Sequence, residues 1–139
     1  MAELKTEFTR PFRFRMEVVE TDDRLPSMRV ETEISVSQFQ HTLSYKGAFW
    51  IECGAWSRFA KALGSLPKGS AMLADMSGYF TLKLYEQAGK LRLSWAFRKE
   101  DVAGAMTAMS TVSAEMDDSM LARMRSEFAD FPVWWQADC

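Results

Sequence analysis

Apolar and polar residues alternate from Phe12 onward, the signature of half-buried β-strands. Phe12, Phe14, Met16 and Val18 form one row, with Arg13, Arg15 and Glu17 between them. A turn-rich stretch holding Thr21, Asp22, Asp23 and Pro26 interrupts the pattern. It resumes with Met28, Val30, Thr32, Ile34 and Val36, separated by Arg29, Glu31 and Glu33. Charge suggests a register for these two strands. Setting Glu17 opposite Arg29 also sets Arg15 opposite Glu31 and Arg13 opposite Glu33. Each opposed pair of opposite sign is worth about 0.2–1 kcal/mol, whereas a slide by one side-chain repeat would oppose Glu17 to Glu31. The charged face then reads as a solvated surface stitched by ion pairs.

Gln38 to Tyr45 reads as a third strand with Phe39, His41, Leu43 and Tyr45 on one side, followed by a turn at Lys46-Gly47 and a short apolar run, Phe49-Trp50-Ile51. The period then changes. Trp56, Phe59, Ala60 and Leu63 fall on one helical face, with Gly64 suited to the residue after the helix and Pro67 blocking continuation. Ala71 to Ala74 is a candidate short strand. Phe80, Leu82 and Leu84 then face Leu91, Leu93, Trp95 and Phe97 across a hairpin. Its loop must hold an even number of residues for both rows to share a face, and pairing Tyr85 with Lys90 leaves Glu86 to Gly89 as that loop. Ala105 to Glu115 reads as a strand, because Thr107, Ser110, Thr111, Val112 and Ser113 are poor helix formers. Asp117 or Asp118 caps a last helix with Met120, Leu121, Met124 and Phe128 on its apolar face, ended by Pro132. These elements predict one α+β domain over residues 1–139. The expected architecture is an antiparallel sheet of about six or seven strands, with one helix inserted between strands and a C-terminal helix packed on the sheet. No internal repeat is visible in the residues.

Composition narrows the function classes. With 47% apolar and 26% charged residues the chain has the balance of a globular domain. A net charge of −2 builds no positive field for nucleic acid. Only Cys53 and Cys139 are present, which favours a reducing compartment over a disulfide scaffold. The polar N-terminus lacks the apolar stretch of a signal peptide, and no apolar run approaches a membrane span. The expected localisation is cytoplasmic, with no nucleic-acid or membrane partner.

Candidate chemistry is sparse. His41 is the sole histidine and Cys53 the obvious nucleophile, near the start of the first helix where a thiolate is stabilised. No supporting motif surrounds them. There is no Cys/His pair at zinc spacing, no calcium loop and no glycine-rich phosphate loop. Asp22-Asp23 reads as a turn and Asp117-Asp118 as a helix cap, while Glu31 and Glu33 are accounted for by the proposed cross-strand pairs. The expectation is no catalytic residue, no metal and no cofactor. The aromatics stand out instead: five Trp and ten Phe, with Trp134-Trp135 close to the C-terminus. Trp134 and Trp135 are the candidate binding residues, since indoles anchor both cores and interfaces. Met72, Met76, Met106, Met109, Met116, Met120 and Met124 add soft apolar volume suited to a core or an adaptable surface.

The order of elements also resembles a known group. Charged alternating strands precede Phe49-Trp50-Ile51 and the helix from Trp56 to Leu63. They are followed by Gly78-Tyr-Phe-Thr-Leu-Lys-Leu84, Leu91-Arg-Leu-Ser-Trp-Ala-Phe97, a strand, and a helix starting Asp118-Ser-Met-Leu121. This pattern resembles the WapI-like immunity proteins and related small bacterial domains of unknown function. The resemblance implies a bacterial, non-catalytic module that binds a toxin-like protein partner, and carries over no individual residue. Self-association, binding of a small apolar ligand in a Trp- and Met-lined pocket, and a hydrolase using a Cys/His or carboxylate site are the competing expectations.

Overall fold

Alternation and helical periodicity resolve into ten elements in the computed structural model, which describes residues 4–9 and 12–131. They are β1 (Lys5–Phe8), β2 (Arg13–Asp22), β3 (Ser27–Gln38), β4 (His41–Glu52), α1 (Cys53–Ser65), β5 (Ser70–Ala74), β6 (Phe80–Gln87), β7 (Lys90–Glu100), β8 (Thr107–Glu115) and α2 (Asp118–Asp130). The α+β class is as expected, but the single sheet is not. The strands form two four-stranded antiparallel sheets, β1-β2-β3-β4 and β5-β6-β7-β8. Helix α1 separates them, and β4 and β5 do not pair. Alternation reports that a strand has a buried face; it does not report which sheet the strand joins.

The chain therefore runs twice through four strands and a helix. Both helices are 13 residues long, starting at Cys53 and Asp118. Trp56 and Leu121 stand at the same place in their helices, as do Phe59 and Met124, and Leu63 and Phe128; all six are buried. Even the residues capping the C-termini, Leu66 and Phe131, are both buried. The repeat lies in the spacing of apolar positions, not in residue identity, which hides it from direct comparison of the two halves. Each helix also reaches toward the other half: α1 packs on β5 and β4, α2 on β1, and the two helices touch. Phe128 lies against Trp56 and Phe59 at ring distances of 4.7 and 5.0 Å. The sheets meet through Phe49 and Phe80, stacked at 4.5 Å. One continuous cluster of buried residues joins both sheets and both helices.

Three local expectations are corrected. Between β2 and β3, Arg15 opposes Glu33 and Glu17 opposes Glu31, the arrangement that charge pairing within the hairpin disfavoured. Both registers keep the apolar rows on the same face, so burial cannot choose between them. The charges are satisfied elsewhere. Arg15 reaches Glu17 and Glu33 at 3.2 and 3.3 Å, and Lys46 on β4 reaches Glu33 at 3.6 Å. A bulge at Val19 brings Glu20 opposite Arg29. The second correction is the turn: Lys46-Gly47 lies inside β4, and the chain reverses at Phe39-Gln40. The third is the loop between β6 and β7. Its even parity is borne out, but it holds only Ala88-Gly89, since Gln87 pairs with Lys90. Both loop residues have positive φ, 54° and 79°, as a tight hairpin with a right-handed twist requires. Helix α1 runs through Gly64 to Ser65 before the cis Leu66–Pro67 bond. The strand expected over Ala105–Glu115 is observed as β8, and Asp117 caps α2 by accepting the Met120 N–H at 2.9 Å.

Candidate functional site

The most exposed aromatic side chain in the described core and loops follows from the β3–β4 register. β2 begins at Arg13, opposite Ser35, so beyond Ser35 the sheet narrows to the β3–β4 pair alone. Val36 pairs with Leu43, Ser37 with Thr42 and Gln38 with His41, leaving Phe39-Gln40 as a two-residue turn. Both turn residues have positive φ, 54° and 64°. Such turns favour Asn and Gly, and an L-residue with a large side chain pays about 1 kcal/mol or more to sit there. The side chain held in this position is a phenyl ring, and Phe39 is 83% exposed. The expectation of a third strand from Gln38 to Tyr45 with Phe39 in its row is thus corrected: Phe39 sits in the turn, and the new strand begins at His41. Nothing in Ser37–Thr42 signals the reversal, because the residues that usually announce a turn sit instead at Lys46-Gly47.

The arm has a firm root. Tyr45 stands two places beyond Leu43 on the same face and packs on Trp95 and Phe97 of the second sheet, at ring distances of 4.6 and 4.9 Å. Its ring also lies over Gly47; a Cβ at that position would come within 2.8 Å of the Tyr45 Cζ. Gly47 is therefore in mid-strand because the tyrosine occupies the space of its side chain. Burial pushes the Tyr45 phenol up to about 12, helped by the negative charge of Asp75. Asp75 is itself buried, with its carboxylate accepting the N–H groups of Phe80 at 2.8 Å and Ser77 at 3.3 Å. Asp75 shapes the β5–β6 turn.

Outside the root, a groove of about 690 Å3 opens beside β2, β3 and β4, lined by Glu7, Arg13, Arg15, Glu33, Ser44 and Lys46 among others. Arg15, Glu33 and Lys46 are bound to one another or to Glu17. The groove is open and lined by three basic and two acidic side chains, unlike the enclosed apolar cavity that a small apolar ligand would require.

The other candidate residues are dispersed. His41 is exposed at the tip end of β4, and Cys53 is buried just past the other end. Twelve residues of extended strand place them roughly 35–40 Å apart at ~3.3 Å per residue. Cys53 is also disulfide-bonded. The His41/Cys53 pair is not a dyad. Asp22 accepts the Arg24 N–H at 2.9 Å in the β2–β3 turn, as its sequence context suggests. Among the described residues, no group of three or more His, Cys, Asp or Glu side chains is placed to hold a metal ion. The methionines divide: Met116 and Met124 are buried, whereas Met72, Met76, Met106 and Met109 are exposed. Trp134 and Trp135 lie outside the described residues. Compared with family models, with curated proteins and with solved structures, the chain matches none.

Proposed function

We propose that this chain is a non-catalytic protein-binding module that uses the β3–β4 arm as its recognition element and Phe39 as its anchor. The observation that carries this reading is Phe39 itself, 83% exposed at a turn whose backbone conformation disfavours it. Replacing it with Asn or Gly would relieve the backbone and remove apolar surface from water, so folding alone gives no reason for a phenyl ring there. Binding does. Burying a phenylalanine side chain contributes about 1.5–3 kcal/mol, and aromatic anchors on rigid supports dominate interface energetics. Polar neighbours Gln38, Gln40, His41 and Thr42 supply the surrounding hydrogen-bonding rim. The resemblance to immunity proteins supports a toxin-like protein as the partner.

The experiment is site-specific photocrosslinking in the native cell with p-benzoylphenylalanine at position 39, and at exposed position 72 as a control. A protein adduct formed from position 39, absent from position 72 and suppressed by excess unlabelled chain, supports the reading. No adduct, or the same adducts from both positions, overturns it.

On the compartment, two observations pull apart. Two cysteines in the whole chain support the cytoplasm, whereas the disulfide at Cys53 is typical of oxidising surroundings. Trapping thiols in acid-quenched cells decides: reactive Cys53 supports the cytoplasm, and blocked Cys53 argues against it.

A further inference from the structure

We propose that the outer face of the first sheet, at the root of the β3–β4 arm, receives an acidic side chain of the partner protein, held by the guanidinium of Arg13 and the hydroxyls of Ser35 and Ser44. This rests on the arm being the recognition element and adds the chemistry of what it recognises. The register builds the site. Arg13 opposes Ser35, and Ser35 opposes Ser44, so the three side chains form one row across β2, β3 and β4. They line the groove of about 690 Å3 together with the next row, where Arg15 opposes Glu33 and Glu33 opposes Lys46.

The two rows differ in what they leave available. In the row of Glu33 each cation already has an acid: Arg15 reaches Glu17 and Glu33, and Lys46 reaches Glu33, at 3.2, 3.3 and 3.6 Å. Arg13 is exposed and forms no ion pair or hydrogen bond through its side chain among the described residues, and the hydroxyls of Ser35 and Ser44 are equally unengaged. Glu7, the groove's other acid, stands opposite Arg15, one row away from Arg13, and pairs with neither. A guanidinium presents a planar fork matched to a carboxylate, and each hydroxyl adds a further donor. One cation of this kind suits the single negative charge of a carboxylate. A phosphate carries nearly two, and is held by clustered arginines or a helix N-terminus, neither of which stands in this row. The arm itself brings no competing charge, since the chain between Glu33 and Lys46 contains no Asp, Glu, Lys or Arg. Ser37 and Thr42, opposite one another, continue the hydroxyl face toward the tip. Phe39 is four residues beyond Ser35, about 13 Å at ~3.3 Å per residue. A standard interface, about 800 Å2 on each partner, covers both. The partner thus pairs an apolar pocket for Phe39 with an aspartate or glutamate about that far from it.

The test is photocrosslinking in the native cell with p-benzoylphenylalanine at position 42, on the face between Arg13 and the tip. The adduct, mapped by mass spectrometry, is expected within a few residues of an Asp or Glu of the partner. Arg13→Gln lowers its yield roughly tenfold and Arg13→Glu abolishes it, with circular dichroism unchanged because the Arg13 side chain bonds to nothing in the fold. Glu7→Gln, which removes the groove's unpaired acid, leaves the yield equal or higher. An adduct indifferent to Arg13→Glu overturns the proposal, as does one that falls equally with Glu7→Gln. Attachment to a segment with no acidic residue, or with a phosphorylated one, also overturns it. The two readings fail separately. An adduct from position 39 with none from position 42 overturns the groove alone. An Arg13-dependent adduct from position 42 with none from position 39 overturns the tip as anchor and supports the groove. No adduct from either position overturns both.

Discussion

The guanidinium of Arg125 on α2 closes the C-terminus of α1: its Nε donates to the Leu63 carbonyl at 2.6 Å, and a terminal nitrogen donates to the Leu66 carbonyl at 2.6 Å. Helix α1 has no basic residue in its own last turn. The positive charge that favours a helix C-terminus therefore comes from the other half of the molecule. Arg125→Met keeps the aliphatic stem and removes both donors. It is expected to destabilise the fold by about 1–3 kcal/mol in urea unfolding. Arg125→Lys should recover less than half of that, because a single ammonium cannot reproduce the planar fork. A loss for Arg125→Met no larger than that of an exposed substitution such as Arg58→Met would refute the capping role.

On the proposed function, Phe39 links stability to recognition with opposite signs. Replacing Phe39-Gln40 by Asn-Gly gives the turn the residues its positive φ values favour. The double variant is expected to be more stable by about 1 kcal/mol, measured by chemical denaturation, while the crosslinked partner is lost. Gain without loss of the partner would leave the tip conformation explained but remove its assignment as the anchor.

The turn shows why part of the fold was legible from residues and part was not. Helices α1 and α2 declare themselves because Trp56, Phe59 and Leu63, and Leu121, Met124 and Phe128, recur at helical spacing. β8 is readable because Thr107, Thr111 and Val112 disfavour the helix that its alanines and methionines allow. The β3–β4 reversal is not readable, since Phe39 and Gln40 carry no turn preference and Lys46-Gly47 carries a false one. Gly47 makes sense only once the Tyr45 ring is seen to fill its place. The first hairpin's register departs from the one that charge predicts for a different reason. Glu33 is shared between Arg15 and Lys46, and Lys46 is on a strand that pairwise reasoning about β2 and β3 leaves out. The exposure of Phe39 is invisible in sequence for the same reason as the turn.

Tyr45 offers a spectroscopic reading of the arm's root. Its phenol is raised to about 12 from an ordinary value of 10.0, by burial first and by Asp75 second. Absorbance titration near 295 nm should show a late transition that Tyr45→Phe removes. The sign for stability follows. Between the two values the unfolded tyrosine loses a proton that the folded one keeps, so stability falls as pH rises through that window and is unaffected by this group below it. Tyr45→Phe should flatten that part of the profile. A phenol at position 45 that titrates at the ordinary value of 10.0 would show that the root is open to solvent.

Thr32 provides the clearest test of the packing between the sheets. It is fully buried on β3, opposite Met16 on one side and Gly47 on the other, and its hydroxyl has no hydrogen-bond partner among the described residues. A buried hydroxyl left unpaired costs about 1–3 kcal/mol relative to its hydration. Valine has nearly the same shape and the same preference for strands, and brings no polar atom. Thr32→Val is therefore expected to stabilise the fold by about 1 kcal/mol. Gly47→Ala, directly across, is expected to destabilise it by about 1–3 kcal/mol, because the new methyl displaces the Tyr45 ring from Trp95 and Phe97. The two changes act on one layer from opposite sides. Urea unfolding of the single variants and of the pair measures their coupling, and additivity within about 0.3 kcal/mol would mean that these cross-strand neighbours act independently.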